Sequence, residues 1–149
     1  MKHPNKTFDH LGIASVDVAL NGVVPSSIAA LEQVPQAGGR LTHLSVESRG
    51  ARGCILTSGQ QVVHAELRSA ELLVTTDRPG HLLWTGEAAL RALAILCNCA
   101  VEIEIVATSD ALWSHACNLD IPLMQALMVM AMAVDEGTGI SALPCVLEA

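Results

Sequence analysis

Residues 42–48 alternate cleanly. Leu44 and Val46 fall on one side and His43, Ser45 and Glu47 on the other, which predicts a half-buried strand. Residues 14–20 carry a weaker form of this pattern and predict a strand that Asn21-Gly22 breaks. Between the two, Pro25-Ser26-Ser27 opens a short helix bearing Ile28, Leu31 and Val34. Ser26 or Ser27 caps it, and Pro35 and Gly38-Gly39 end it. After a turn at Gly50-Ala51-Arg52, residues 53–57 predict an apolar strand, Ser58-Gly59 a hairpin turn, and residues 61–67 the return strand. Residues 71–75 predict a further strand and Asp77-Arg78-Pro79-Gly80 a turn.

Helical periodicity takes over at Thr85, which stands as an N-cap. Glu87 sits in the first turn, where the helix dipole favours an acid, and forms an i,i+4 pair with Arg91. Leu90, Leu93, Ala94 and Cys97 make the buried stripe of this helix. Residues 100–105 predict a strand with Val101, Ile103 and Ile105 inward and Glu102 and Glu104 outward. A connection with Trp113 and His115 follows. Asp120 then caps a last helix, with Pro122 in its first turn, that runs to Asp135 and stops before Gly137.

That last helix is unusual. From Ile121 to Val134 the polar side chain is Gln125 alone. Met124, Met128 and Met132 form one stripe at i, i+4, i+8, and Leu123, Leu127, Met130 and Val134 form the adjacent one. A helix apolar all round must be covered on more than one side. Either it is the central core helix, or one stripe packs in the core while the other meets a partner or a second copy of the chain. Methionine suits the second role, since its stem is flexible and polarizable.

Composition narrows the classes. The 149 residues fit one ordinary domain, and a chain of this size buries roughly 70% of its unfolded surface without needing a disulfide or metal staple. Hydrophobic residues make up 51%, yet there is one Phe, two Trp and no Tyr, so aromatic platforms for bases or sugars are scarce. The net charge of -7, with scattered basic residues, argues against nucleic acid and against anionic membranes. No apolar run reaches the roughly 18 residues of a membrane span. No apolar h-region follows the first residues, so no signal peptide is expected. The odd number of cysteines, five, points to free thiols in a reducing compartment.

Candidate chemistry is sparse. His64 and Glu66 share one face of a strand, and such a pair can do acid–base work. No nucleophile in a recognisable setting accompanies them, which favours a structural or interface histidine. Cys97-Asn98-Cys99 and Cys117, with His115, lack the usual zinc spacing, and Cys97 falls on a buried stripe. Arg49, Arg52, Arg68 and Arg78 all fall near turns, where solvated charge is the default. Gly38-Gly39 lacks the strand–loop–helix setting of a phosphate loop.

The order of elements resembles the PATAN domain family. The hairpin Gly53-Cys54-Ile55-Leu56-Thr57-Ser58-Gly59-Gln60-Gln61-Val62-Val63-His64-Ala65-Glu66 looks like that family's strand, Gly-containing turn and return with an apolar pair before His-Ala. Gly86-Glu87-Ala88-Ala89-Leu90 matches its Gly-Glu-Ala helix, residues 101–105 its next strand, and residues 123–136 its final apolar helix ending in an acidic pair. The opening segment Leu20-Asn21-Gly22 through Ile28 and Leu31 fits its first strand and helix, so the likeness spans residues 14–136. Leu56 stands where the family has an aromatic residue, Ser58 where it has an acidic one, and residues 68–83 make a longer connection. The resemblance implies a bacterial cytoplasmic signalling module. Similar domains are joined to receiver domains, are associated with type IV pili, surface motility and cell polarity, and act by protein–protein contact.

The expectation is therefore a single α+β domain: an antiparallel sheet of about four to six strands with about three helices packed on it. It occupies residues 14–136, after a polar lead-in at 1–13 and before an apolar tail at 137–149 that docks back. The expected function is non-enzymatic protein binding in the cytoplasm, as a homodimer, with a response regulator, pilus motor component or polarity protein as partner. No cofactor, metal, nucleic acid or membrane is expected. The expected interface residues are Met124, Met128, Met132, His64 and Glu66. Two rivals remain: a dimeric secretion-chaperone-like protein binding an effector segment, and a small-ligand or metal sensor using His64, His115 and the cysteine cluster.

Overall fold

The computed structural model describes residues 17–37, 41–48, 50–69, 81–108, 117–137 and 139–148. The expected strand at 71–75, the turn at 77–80, Arg49, Arg78, Trp113 and His115 lie outside the described residues.

Strand β1 (Asp17–Val24) leads into the short helices α1 (Ser27–Glu32) and α2 (Val34–Ala37). Then come β2 (Leu41–Ser48), β3 (Ala51–Ser58), β4 (Gln61–Ser69), β5 (His81–Thr85) and α3 (Gly86–Leu96). The chain continues through β6 (Val101–Thr108), the brief β7 (Ile121–Pro122), α4 (Leu123–Asp135), a 3-10 turn (Ile140–Ala142) and β8 (Val146–Glu148). The sheet is antiparallel, in the order β1-β6-β2-β3-β4-β5-β8, with β7 beside β4. This is the α+β architecture that the alternation predicts.

Among the described residues the sheet has eight strands, more than expected. The extra ones are β5, whose sequence His-Leu-Leu-Trp-Thr does not alternate, and the very short β7 and β8. Leu143 is buried in the core and β8 pairs with β5, so the C-terminal segment does dock back.

Several boundaries differ from the sequence reading. Asn21-Gly22 does not end β1, because β6 pairs across it: Asn21 faces Glu104 and Gly22 faces Ile103. The hairpin turn is Gly59-Gln60, one residue later than expected, with Ser58 facing Gln61 and Gly59 in the left-handed region at φ 62°. Asp120 does not cap α4. Its carboxylate accepts from Gln61 Nε2 at 3.1 Å while Pro122 holds the N-cap position. The helix starts only where the chain leaves the edge of β4, with the Leu123 N–H donating to the Gln60 carbonyl at 2.7 Å.

The helices cover one face of the sheet. Leu44, Val46, Ile55, Ala65, Leu67 and Ile105 point into that layer and are essentially fully buried. Helix α3 lies over β4 and β5, and α4 packs on α3. The approach is close at Gly53, where an added Cβ would stand 2.8 Å from Leu93 Cδ2 and 3.1 Å from the Glu66 carbonyl oxygen. The end of α3 meets the start of α1. Ser26 caps α1 by accepting from the Ala29 N–H at 3.2 Å, which leaves the buried Ser27 hydroxyl free to donate to the Leu93 carbonyl at 2.8 Å.

Candidate functional site

Helix α4 separates its two stripes as a partly covered helix must. Leu123, Ala126, Met130 and Ala133 are buried against α3 and the sheet, with Leu127, Val129 and Val134 partly buried. Met124, Met128 and Met132 point the other way, exposed by 68, 60 and 47%. Gln125 and Ala131 flank them, so the stripe carries no charge until Asp135 and Glu136 at its end. Scattered exposed apolar residues are ordinary, whereas these three large ones share one side of a helix.

The expected pair His64 and Glu66 stands elsewhere, on the sheet face away from the helices. Alternation along β4 turns Ala65 and Leu67 into the core and His64, Glu66 and Arg68 out of it. Glu66 is the hub. Its Oε1 lies 2.8 Å from His64 Nε2, and its Oε2 accepts from Arg68 Nη1 at 2.5 Å. Partial burial works to raise the Glu66 pKa, but these two bonds outweigh it and hold the carboxyl below its ordinary value.

Cys54 joins them from β3, directly opposite Glu66. Its sulfur, a His64 ring nitrogen and a Glu66 oxygen all lie within 4.8 Å of one another. Burial, with the Glu66 charge added, pushes the Cys54 thiol up to about 11, so it is protonated at neutral pH. A free thiol in that state is a poor nucleophile, which argues against Cys–His–Glu chemistry of the protease kind. His43 lies on the same face from β2, and Leu56, 2% exposed, stands between it and His64. Burial lowers the His43 pKa, against the pull of Glu104.

The backbone under this group is pinned. The ladder between β3 and β4 shifts by one residue at Val63: Thr57 faces Val62, but Leu56 faces His64. Such a bulge re-aims the side chains beyond it. On the other edge of β4 the Asn118 side chain imitates a strand, with Oδ1 accepting from the Ala65 N–H at 3.0 Å and Nδ2 donating to its carbonyl at 3.1 Å. The Leu119 N–H donates to the Val63 carbonyl at 3.1 Å.

The structure does not join the methionine stripe to His64 and Glu66: the two sets lie on opposite sides of the sheet-and-helix layers. Nor does it gather the other cysteines among the described residues. Cys97 is buried at the end of α3, while Cys99, Cys117 and Cys145 are exposed. Arg52 and Arg68 line a groove of about 570 Å³ with His81 at the end of the sheet. Both arginines already bind acids, Arg52 to Glu47 at 2.9 Å and Arg68 to Glu66, so the groove offers an anion little unused charge. No helix of the described residues is long and apolar enough to cross a membrane.

Sequence reasoning found His64 and Glu66 but missed Cys54, which it treated as part of an apolar strand. A regular hairpin around Gly59-Gln60 sets Cys54 opposite Ala65, facing the core. The bulge at Val63 turns it onto the face of Glu66. No family model, no curated protein and no solved structure matches this chain.

Proposed function

We propose that this chain is a non-enzymatic adaptor that binds protein through the methionine stripe of α4, first of all a second copy of itself. The observation that carries the reading is the exposure of Met124, Met128 and Met132 in one uncharged row. The row is symmetric about Met128, so two copies of α4 laid antiparallel set Met128 on the two-fold axis and Met124 against Met132. That arrangement also places Asp135 and Glu136 of each copy near the N-terminus of the other helix, where the dipole favours acids. The resemblance to PATAN domains supports a role in a bacterial cytoplasmic signalling system, in control of type IV pili, motility or polarity, with a response regulator, pilus motor component or polarity protein as the further partner.

Light scattering on the purified full chain at micromolar concentration tests the self-association. The wild type is expected to run as a dimer, and Met128→Glu, which brings two carboxylates together on the axis, as a folded monomer. A monomeric wild type removes the homodimer. If Met128→Glu also loses no protein that the wild type captures from its native host, the stripe is not a binding surface at all.

A further inference from the structure

We propose that Cys54, His64 and Glu66 bind a thiophilic divalent cation of the zinc class, a site independent of the methionine stripe and on the opposite side of the molecule. The donors are one thiol, one imidazole and one carboxylate, the mixed set that zinc takes in tetrahedral sites, and each offers an atom within 4.8 Å of the others. An ion about 2.0–2.3 Å from each of three ligands sets their donor atoms roughly 3.3–3.8 Å apart, so the His64–Glu66 pair, 2.8 Å apart, opens slightly around the ion, a rotamer-scale movement.

The scaffold suits the task. Two ligands come from directly opposed positions of neighbouring strands, Cys54 and Glu66, and the third, His64, is the next same-face position of β4. Ladder positions cannot drift as loop positions can. The Asn118 clamp on Ala65 fixes the backbone between His64 and Glu66. The Cys54 side chain is half-buried, and the His64 and Glu66 side chains are 15 and 25% exposed, so the ligands are largely withdrawn from water yet reachable. Arg68 occupies Glu66 Oε2 and leaves Oε1 to the ion as a single-oxygen ligand. With three protein ligands the fourth tetrahedral position is open to water or an exchangeable ligand.

The proton balance is simple. The Cys54 thiol loses its proton to solvent as the metal–sulfur bond forms. His64 and Glu66 exchange their mutual hydrogen bond for bonds to the ion, the imidazole binding in its neutral form. Thiolate and carboxylate offset the divalent charge, with the Arg68 guanidinium still bound to Glu66 Oε2. The thiol proton is released as the ion binds, and the buried thiol that is a poor nucleophile becomes a metal ligand.

Cobalt(II) serves as the spectroscopic probe on the full chain, held reduced by a thiol-free reductant. One equivalent is expected to give a thiolate-to-cobalt charge-transfer band and the visible bands of a tetrahedral ion, all removed by zinc. Cys54→Ser should abolish the charge-transfer band and weaken zinc at least about 100-fold, more than loss of a supporting outer partner does. His64→Ala should weaken zinc on the same scale while retaining a thiolate band, which covers the case in which the serine variant does not fold. No thiolate band in the wild type, an unchanged band in folded Cys54→Ser, or unchanged zinc affinity in His64→Ala overturns the proposal.

Discussion

Helices α3 and α4 are close in length, lie side by side and both present an apolar stripe to the same core, yet their outer sides are opposite in character. Helix α3 is amphipathic in the ordinary sense. Leu90, Leu93, Ala94 and Cys97 are buried, and outside Arg91 donates to Glu87 at 3.0 Å across one turn. Helix α4 buries Leu123, Ala126, Met130 and Ala133 equally well but turns three large methionines outward. Nothing on the core side of α4 requires this. Polar residues at 124, 128 and 132 would leave its packing intact. The proposed self-association rests on this difference, an exposed apolar stripe on α4 where α3 carries an ion pair.

The comparison makes graded predictions. The two inner stripes should be equally important. Leu93→Ala and Met130→Ala, both at fully buried positions, should each destabilise by ~2–5 kcal/mol in urea unfolding. A much smaller loss at Met130 would mean that α4 is only loosely docked. The sealed end of α3 should show next. Cys97 is fully buried and its thiol is pushed up to about 11 by burial, with Cys99 adding to it. Its thiolate at pH 8 should be scarcer by roughly 100-fold than that of an ordinary thiol. In the native protein, mass-spectrometric mapping should find Cys99, Cys117 and Cys145 alkylated long before Cys97. Equal rates would mean that α3 frays at that end.

The seat of α3 comes third. Gly53→Ala sets a methyl group against Leu93 and the Glu66 carbonyl and should cost ~1–3 kcal/mol. A neutral result would show that α3 can lift from the sheet. The smallest effect should be on the outside of α4, where Met128→Glu should leave the monomer's stability within ~0.5 kcal/mol. A large loss there would show that the stripe already belongs to the folding core.

Much of this was legible along the chain. The alternation of residues 42–48 and 101–105 placed β2 and β6 with the correct inner faces, because a half-buried strand imposes period two whatever its neighbours are. The stripe and ion pair of α3 follow from local helical geometry, and the excess apolar surface of α4 is a property of composition. His64 and Glu66 share a face for the same period-two reason.

What lay beyond the sequence depends on contacts between distant segments. Asn21-Gly22 looks like a break, yet β6 lies beside it and supplies the partners that extend β1 to Val24. Asp120 looks like a cap, yet the free edge of β4 draws residues 118–122 along it and delays the helix. Which methionines of α4 face outward was decided by where α3 lies. Cys54 is the sharpest case. Its sequence position alone gives it no defined face relative to His64 and Glu66, because a hairpin's register depends on where one extra residue is accommodated. The strands placed that residue at Val63, and a shift of one position exchanges the two faces of a strand. The residues of the proposed metal site were thus all present in the sequence, and their meeting was settled by the register of the folded sheet.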